Sequence, residues 1–143
     1  MGLEEKLNIT YSRIKQIEKV TQMLSNSFWS PKIKIHEVKK GAINSALIVG
    51  AFFNDTEQIG YGRVISDKTR FAYITDVYVD VNFRKKGIGQ KIINYILNHQ
   101  ELVDVYQWLL ITKDAHGVYN KVGFNPVARP LDLMEIRKSR PRR

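Results

Sequence analysis

Between a β-branched, aromatic run and an apolar-periodic one lies Arg84-Lys85-Lys86-Gly87-Ile88-Gly89. Three cations followed by two glycines at the opening of a helix suit the holding of phosphate oxygens. Glycines let backbone approach a ligand closely. The first turn of a helix adds unpaired N–H groups and the positive end of its dipole. Two well-known phosphate motifs are excluded by the residues themselves. A nucleoside-triphosphate loop needs Gly-Lys-Ser/Thr after its first glycine, and that is missing. A dinucleotide fingerprint needs a third glycine three residues after Gly89, where Ile92 stands. Read by itself, the segment also fits an ordinary strand–helix turn with solvated lysines.

The elements that must position this loop follow from periodicity. Residues 7–11 suit a short strand. Ile14, Ile17, Val20, Leu24 and Phe28 recur at helical spacing and predict a helix over 13–28, stopped by Pro31. A second helix is expected at 35–45, interrupted by Gly41. The apolar run 47–53 and the segment 58–65 predict a hairpin across Asn54-Asp55. Residues 71–80 are rich in strand formers. After the glycine loop, Ile88, Ile92, Ile93, Ile96 and Leu97 mark one helix face. A strand at 105–111 and a short helix at 115–122 follow, the latter ended by Gly123. Two more strands are expected within 124–137. A hairpin meander feeding a βαβ unit implies an α/β (α+β) fold: one domain over 1–143, a mixed, mainly antiparallel sheet flanked by helices, and a basic tail from about 137.

Composition narrows the function. The 143 residues contain no cysteine, which excludes disulfides, thiolate metal sites and a cysteine nucleophile. The three histidines show no metal-ligand spacing, so no metal is expected. No apolar run is long enough to span a membrane. The opening residues are too polar for a signal peptide, and Lys6 replaces the Ser/Thr of a myristoylation signal. A soluble cytoplasmic protein without a membrane partner is the expectation. The net charge of +9 favours polyanions. That leaves nucleic acid as one reading, although the basic-aromatic signatures of RNA-binding folds are missing, and a phosphate-rich small molecule as another.

A third pattern fits the glycine loop. VYVDVNFRKKGIGQKII resembles the pyrophosphate-binding core of the GNAT superfamily of N-acetyltransferases, with Val81 where many members carry proline. LLITKDAHGVYNKVGF, residues 109–124, resembles the later segment of the same family, with Ala115, Val118, Tyr119, Lys121, Gly123 and Phe124 in place. Two motifs in the right order are far more specific than either alone, and the element order agrees from end to end.

The resemblance implies a cofactor, acetyl-CoA or another short acyl-CoA. Its pantetheine arm would lie in a gap between the strand ending at Val79 and the strand at 105–111, against the backbone of Val77, Tyr78 and Val79. Arg84, Lys85, Lys86, Gly87, Ile88, Gly89 and Gln90 would hold its pyrophosphate, with Thr112 and Lys121 as further contacts. It implies direct attack by a primary amine of a small molecule or peptide. Tyr119 would be the general acid that protonates the leaving thiolate, or else a packed tyrosine. The proton acceptor is open. Where some relatives carry glutamate stands Thr75, which cannot act as a base. Asp76 next to it should face the other way unless a bulge intervenes. His116, one helical turn before Tyr119, either accepts a proton through water or caps its helix. Trp29 is either core or a wall of the acceptor pocket. Arg63 either pairs with Asp67 or holds a substrate carboxylate. A binding-only acyl-CoA sensor on the same fold is the alternative, ahead of a nucleic-acid module; a monomer or homodimer is expected.

Overall fold

The computed structural model describes residues 7–11 and 16–143. Five strands form one sheet in chain order: β1 (Leu7–Tyr11), β2 (Leu47–Phe53), β3 (Glu57–Ser66), β4 (Phe71–Val79) and β5 (Gln107–Leu110). The first three pairings are antiparallel and the last, β4 with β5, is parallel. Helices α1 (Ile17–Ser25) and α2 (Ile35–Ile43) precede β2. Helix α3 (Ile88–Leu97) crosses from β4 to β5, and α4 (His116–Asn120) follows β5. The mixed, mainly antiparallel sheet flanked by helices is the fold expected from the sequence.

Helices cover both faces of the sheet. On one face Ile88, Ile92, Ile93 and Ile96 of α3 pack on Leu47, Val49, Val64, Ala72 and Ile74. On the other, Val20, Met23 and Leu24 of α1 and Val38 and Ala42 of α2 pack on Ile48 and Tyr61. Each face takes the apolar stripe of an amphipathic helix, the arrangement in which both sheet and helix exclude water.

Three expectations need correction. The first helix ends at Ser25 rather than 28, and residues 12–15 of its expected start lie outside the described residues. Its end has a local cause: Asn26 Nδ2 donates to Gln22 O and Ser27 Oγ to Leu24 O, so short polar side chains take the last carbonyls. Phe28 is consequently exposed. Gly41 does not interrupt α2. The Arg63 guanidinium lies over it, so that a Cβ built there would sit 3.3 Å from Arg63 Cζ. Finally, 124–137 forms no strand. The only regular structure there is a 3-10 turn at Pro130–Asp132, since Pro126 and Pro130 remove two ladder donors.

Candidate active site

The glycine loop sits where the sequence places it, between β4 and α3. A 3-10 turn, Val81–Phe83, leads into it, with Asp80 Oδ1 accepting from Asn82 N–H. Gly87 has φ 78°, the left-handed region that glycine enters without penalty, and forms the N-cap of α3. Lys91 N–H is the first to bond back, to Gly87 O over 3.1 Å. The N–H groups of Ile88, Gly89 and Gln90 therefore have no helical acceptor. The surface above them is open. A Cβ built on Gly87 meets nothing within 4 Å, and one on Gly89 meets only Val79 Cγ2 at 4.0 Å. Lys85 and Lys86 are exposed beside it. Arg84 is partly committed, because its Nε donates to Val79 O over 2.9 Å and its guanidinium lies 4.9 Å from the Tyr78 ring centroid. It ties the end of β4 to the loop.

Upstream of the loop the sheet opens. β4 pairs with β5 from Phe71/Gln107 to Ile74/Leu110 and no further, while its other side stays paired with β3 as far as Val79. Residues 75–79 thus present a strand edge without a strand partner among the described residues. A bulge lies in the same stretch. Tyr61 pairs with Tyr78 and Arg63 with Thr75, so Asp76 and Val77 together face Gly62. Asp76 takes φ 56°, which an aspartate tolerates better than most side chains. The extra residue resets the alternation. Ala72 and Ile74 face the α3 core before it, and Val77 and Val79 face that core after it. Without the bulge, Asp76 would point into an apolar core.

Instead Asp76 turns toward α1 and α2, and both of its carboxylate oxygens are engaged. Trp29 Nε1 donates to Oδ1 and Arg63 Nε to Oδ2, each over 2.8 Å. Arg63 also donates to Gly41 O and Ser45 Oγ. Of the two roles open to Arg63 in the sequence, the pair with Asp67 does not form. Asp67 accepts N–H bonds from Thr69, Arg70 and Phe71 at the hairpin turn, and these hold its carboxyl well below the usual range. Trp29 packs at the edge of the α1/α2 core, its ring 6.3 Å from that of Tyr78 and 5.0 Å from that of Phe28. The Phe28 ring in turn lies under Lys113, 5.5 Å from its centroid. This bridge between the α1–α2 loop and the β5–α4 loop escaped sequence reasoning; only distant chain segments make it.

Tyr119 lies half-buried on α4. Its ring packs edge-on to Phe124 at 6.1 Å and rests against the α3 core. Burial raises its phenol pKa, and among the described residues nothing hydrogen-bonds its hydroxyl. His116 opens the same helix and is exposed; no hydrogen bond or ring contact joins it to Tyr119. Thr112 Oγ accepts from Ala115 N–H over 3.0 Å and starts the turn into α4. Lys121 is exposed at the end of α4.

A split sheet edge, a glycine–cation loop below it and a half-buried tyrosine beyond it therefore lie along one stretch of chain. A family model described as an acetyltransferase (GNAT) domain matches residues 46–126, more than half of the chain. The chain belongs to the GNAT acetyltransferase family. Among solved structures, a candidate GNAT acetyltransferase from Xanthomonas campestris is 30 % identical, with 92 % of this chain and 93 % of that one covered and a TM-score of 0.85. A Staphylococcus aureus protein of unknown function, a candidate acetyltransferase, is 28 % identical over 94 % of this chain and 99 % of that one, at 0.76. One from Deinococcus radiodurans shares the fold at 19 % identity, covering 96 % and 92 %, also at 0.76. No curated protein matches the chain. The GNAT segment contains the bulge, the loop and Tyr119, but not α1, α2 or Trp29, so the Trp29 donor to Asp76 comes from outside it.

Proposed function

We propose that this GNAT protein transfers the acyl group of acetyl-CoA, or of another short acyl-CoA, to a primary amine of a small molecule or peptide by direct attack. The observation that carries this reading is the end of β4–β5 pairing at Ile74/Leu110, which leaves 75–79 open and leads straight into the uncovered glycine loop. The residues fit such a cofactor: an extended edge for the pantetheine amides, then N–H donors and cations for the pyrophosphate. When bound, the cofactor supplies the acyl thioester.

The N–H groups of Ile88, Gly89 and Gln90 hold the diphosphate, with Lys85 and Lys86 adding positive potential and Gly87 keeping the approach clear. Arg84 fixes the end of β4 through Val79 O. The edge of Val77, Tyr78 and Val79 orients the pantetheine, and a backbone N–H near Val79 polarises the thioester carbonyl. Thr112 and Lys121 are the further cofactor contacts of this reading. Tyr119 Oη holds its proton at neutral pH and delivers it to the departing sulfur. The acceptor amine must first lose a proton. Asp76 has both oxygens engaged and acts as a positioning residue, which leaves exposed His116 to take that proton through water. Trp29 and Arg63 brace the acceptor side.

Calorimetric titration with acetyl-CoA, followed by a thiol-release screen over polyamines, amino acids, aminoglycosides and peptide N-termini, tests the reading. Saturable binding and acceptor-dependent release are expected. Failure to bind acetyl-CoA overturns it. Binding without turnover of any acceptor would favour an acyl-CoA sensor.

A further inference from the structure

Two loops border the open edge of β4. The α1–α2 loop, residues 26–34, reaches it through the bond from Trp29 to Asp76 at the bulge. The β5–α4 loop, residues 111–115, begins where β5 stops pairing with β4. The two loops meet where Lys113 Nζ lies 5.5 Å from the centroid of the Phe28 ring. Phe28 in turn packs edge-on to Trp29, with centroids 5.0 Å apart. Lys113, Phe28, Trp29 and Asp76 thus form one line of contacts from an exposed rim to the bulge. The α3 core closes the opposite face, because Val77 and Val79 pack against it. A molecule that comes to the open edge from the side of α1 and α2 passes this rim.

The rim is basic. Lys32 and Lys34 lie in the first loop and Lys113 in the second, against a single acid, Asp114. The three lysines are exposed, and none forms an ion pair among the described residues. A cation resting on an aromatic face gains from the ring quadrupole but keeps its net charge. The carboxylates nearest in the fold are taken. Asp76 accepts from Trp29 and Arg63, and Glu37, in the first turn of α2, accepts twice from the Arg143 guanidinium, at 2.9 and 2.6 Å. Arg63 is committed by the same bonds, so the sequence's candidate for a substrate carboxylate is already paired. Lys113 is not. We propose that the acceptor is a primary amine that also carries an anionic group, a carboxylate or a phosphate, and that Lys113 selects it. This rests on the acyl-transfer reading and narrows it. An incoming anion offers the Lys113 ammonium a charge-assisted hydrogen bond that the Phe28 ring cannot. Lys32 and Lys34 add to the potential that draws the anion in. A polyamine meets the same charges as repulsion.

The test measures thiol release from acetyl-CoA by the full chain with matched acceptors: amino acids against their carboxamides, phosphoethanolamine against ethanolamine, and spermidine. In each pair the neutral member has the less basic amine, so ease of deprotonation alone favours it and cannot mimic the expected preference. The anionic member should have the higher kcat/KM by about fivefold, the upper end for a solvent-exposed ion pair, and spermidine should be the poorest acceptor. The pair with the larger ratio identifies the anion. Lys113→Met should bring the ratio close to one, Lys113→Arg should restore it, and Lys113→Glu should reverse it. A purely structural role would not follow the sign of the charge. Calorimetry should give each variant the acetyl-CoA affinity of the unaltered chain. Turnover without preference for the anionic member, or a preference that survives Lys113→Met, overturns the proposal and leaves acyl transfer standing. So does weakened acetyl-CoA binding in Lys113→Met, which would place this lysine with the cofactor. Binding of acetyl-CoA without turnover of any acceptor overturns both readings.

Discussion

Trp29 Nε1 donates to Asp76 Oδ1 over 2.8 Å, and through that bond the α1–α2 loop holds the bulge of β4. Arg63 Nε takes the other carboxylate oxygen at the same distance. One aspartate in left-handed backbone therefore ties together two elements far apart in sequence, at the point where β4 parts from β5. The geometry of the open edge rests on this three-residue lock.

Removing the charge at the centre of the lock should be costly. Asp76→Asn keeps the size of the side chain but leaves Arg63 partly buried without its counter-ion. It should destabilise the fold by about 2–4 kcal/mol in urea titration, as expected for one partner removed from a buried pair. Trp29→Phe loses one hydrogen bond to a charged group and should cost about 1.5–3 kcal/mol. A change below about 0.5 kcal/mol for Asp76→Asn, the scale of ordinary surface substitutions, would show that the lock is not structural.

The glycine loop allows binding to be separated from folding. Gly89 has no left-handed backbone requirement, and a side chain there points into open space. Gly89→Val should therefore leave thermal stability nearly unchanged while weakening acetyl-CoA binding at least tenfold, about 1.4 kcal/mol. Gly87→Val adds backbone strain from φ 78° and should lower both. Unchanged affinity in Gly89→Val would move the diphosphate away from this loop.

Acid should loosen the junction between α1 and the loop. Lys19 Nζ donates to Asp80 Oδ2 over 2.8 Å, and that bond, reinforced by Asn82 N–H, holds the Asp80 carboxyl below its ordinary value. A carboxyl depressed in the folded state stabilises the fold above its unfolded pKa, near 3.9. That contribution disappears as pH falls through the lower folded value. Stability should drop below about pH 4, and Lys19→Met should flatten that part of the curve. Parallel curves for the two proteins between neutral and acid pH would remove the pair from the account.

Periodicity was sufficient for α3, where five aliphatic residues repeat on one face, and for the β2–β3 hairpin, where apolar runs flank a polar turn. The glycine loop was equally legible, because phosphate chemistry needs small residues and cations at adjacent positions. Asp76 was not. Strict alternation sends it to the face opposite Thr75, and only the pairing register reveals the bulge that reverses it. For Arg63 the sequence leaves open a pair with Asp67 or a substrate carboxylate, and neither reading finds Asp76: the turn N–H groups claim the Asp67 carboxylate, and Arg63 Nε donates to Asp76. The tail failed for another reason. Two strands are expected there, but Pro126 and Pro130 break the stretch and its apolar side chains stay exposed.

The proton on Tyr119 is the most direct handle on chemistry. Tyr119→Phe keeps the ring that packs on Phe124 and the α3 core, so stability and acetyl-CoA affinity should change little. If the phenol protonates the departing sulfur, turnover should fall by about 10²–10⁴, the usual worth of a positioned general acid. Some activity should remain, since positioning and the backbone N–H persist and water protonates a thiolate slowly. The pH profile supplies the sign. Burial raises the phenol pKa above its ordinary value near 10, so the required protonated form persists through neutral and mildly alkaline pH. Activity of the unaltered enzyme should decline only beyond that range, and the decline should be missing from the variant. The measurement is steady-state turnover across pH for both proteins, with cofactor affinity determined separately. Undiminished turnover in Tyr119→Phe, with the same alkaline limb, would leave Tyr119 a packing residue and transfer the proton donor's role to solvent.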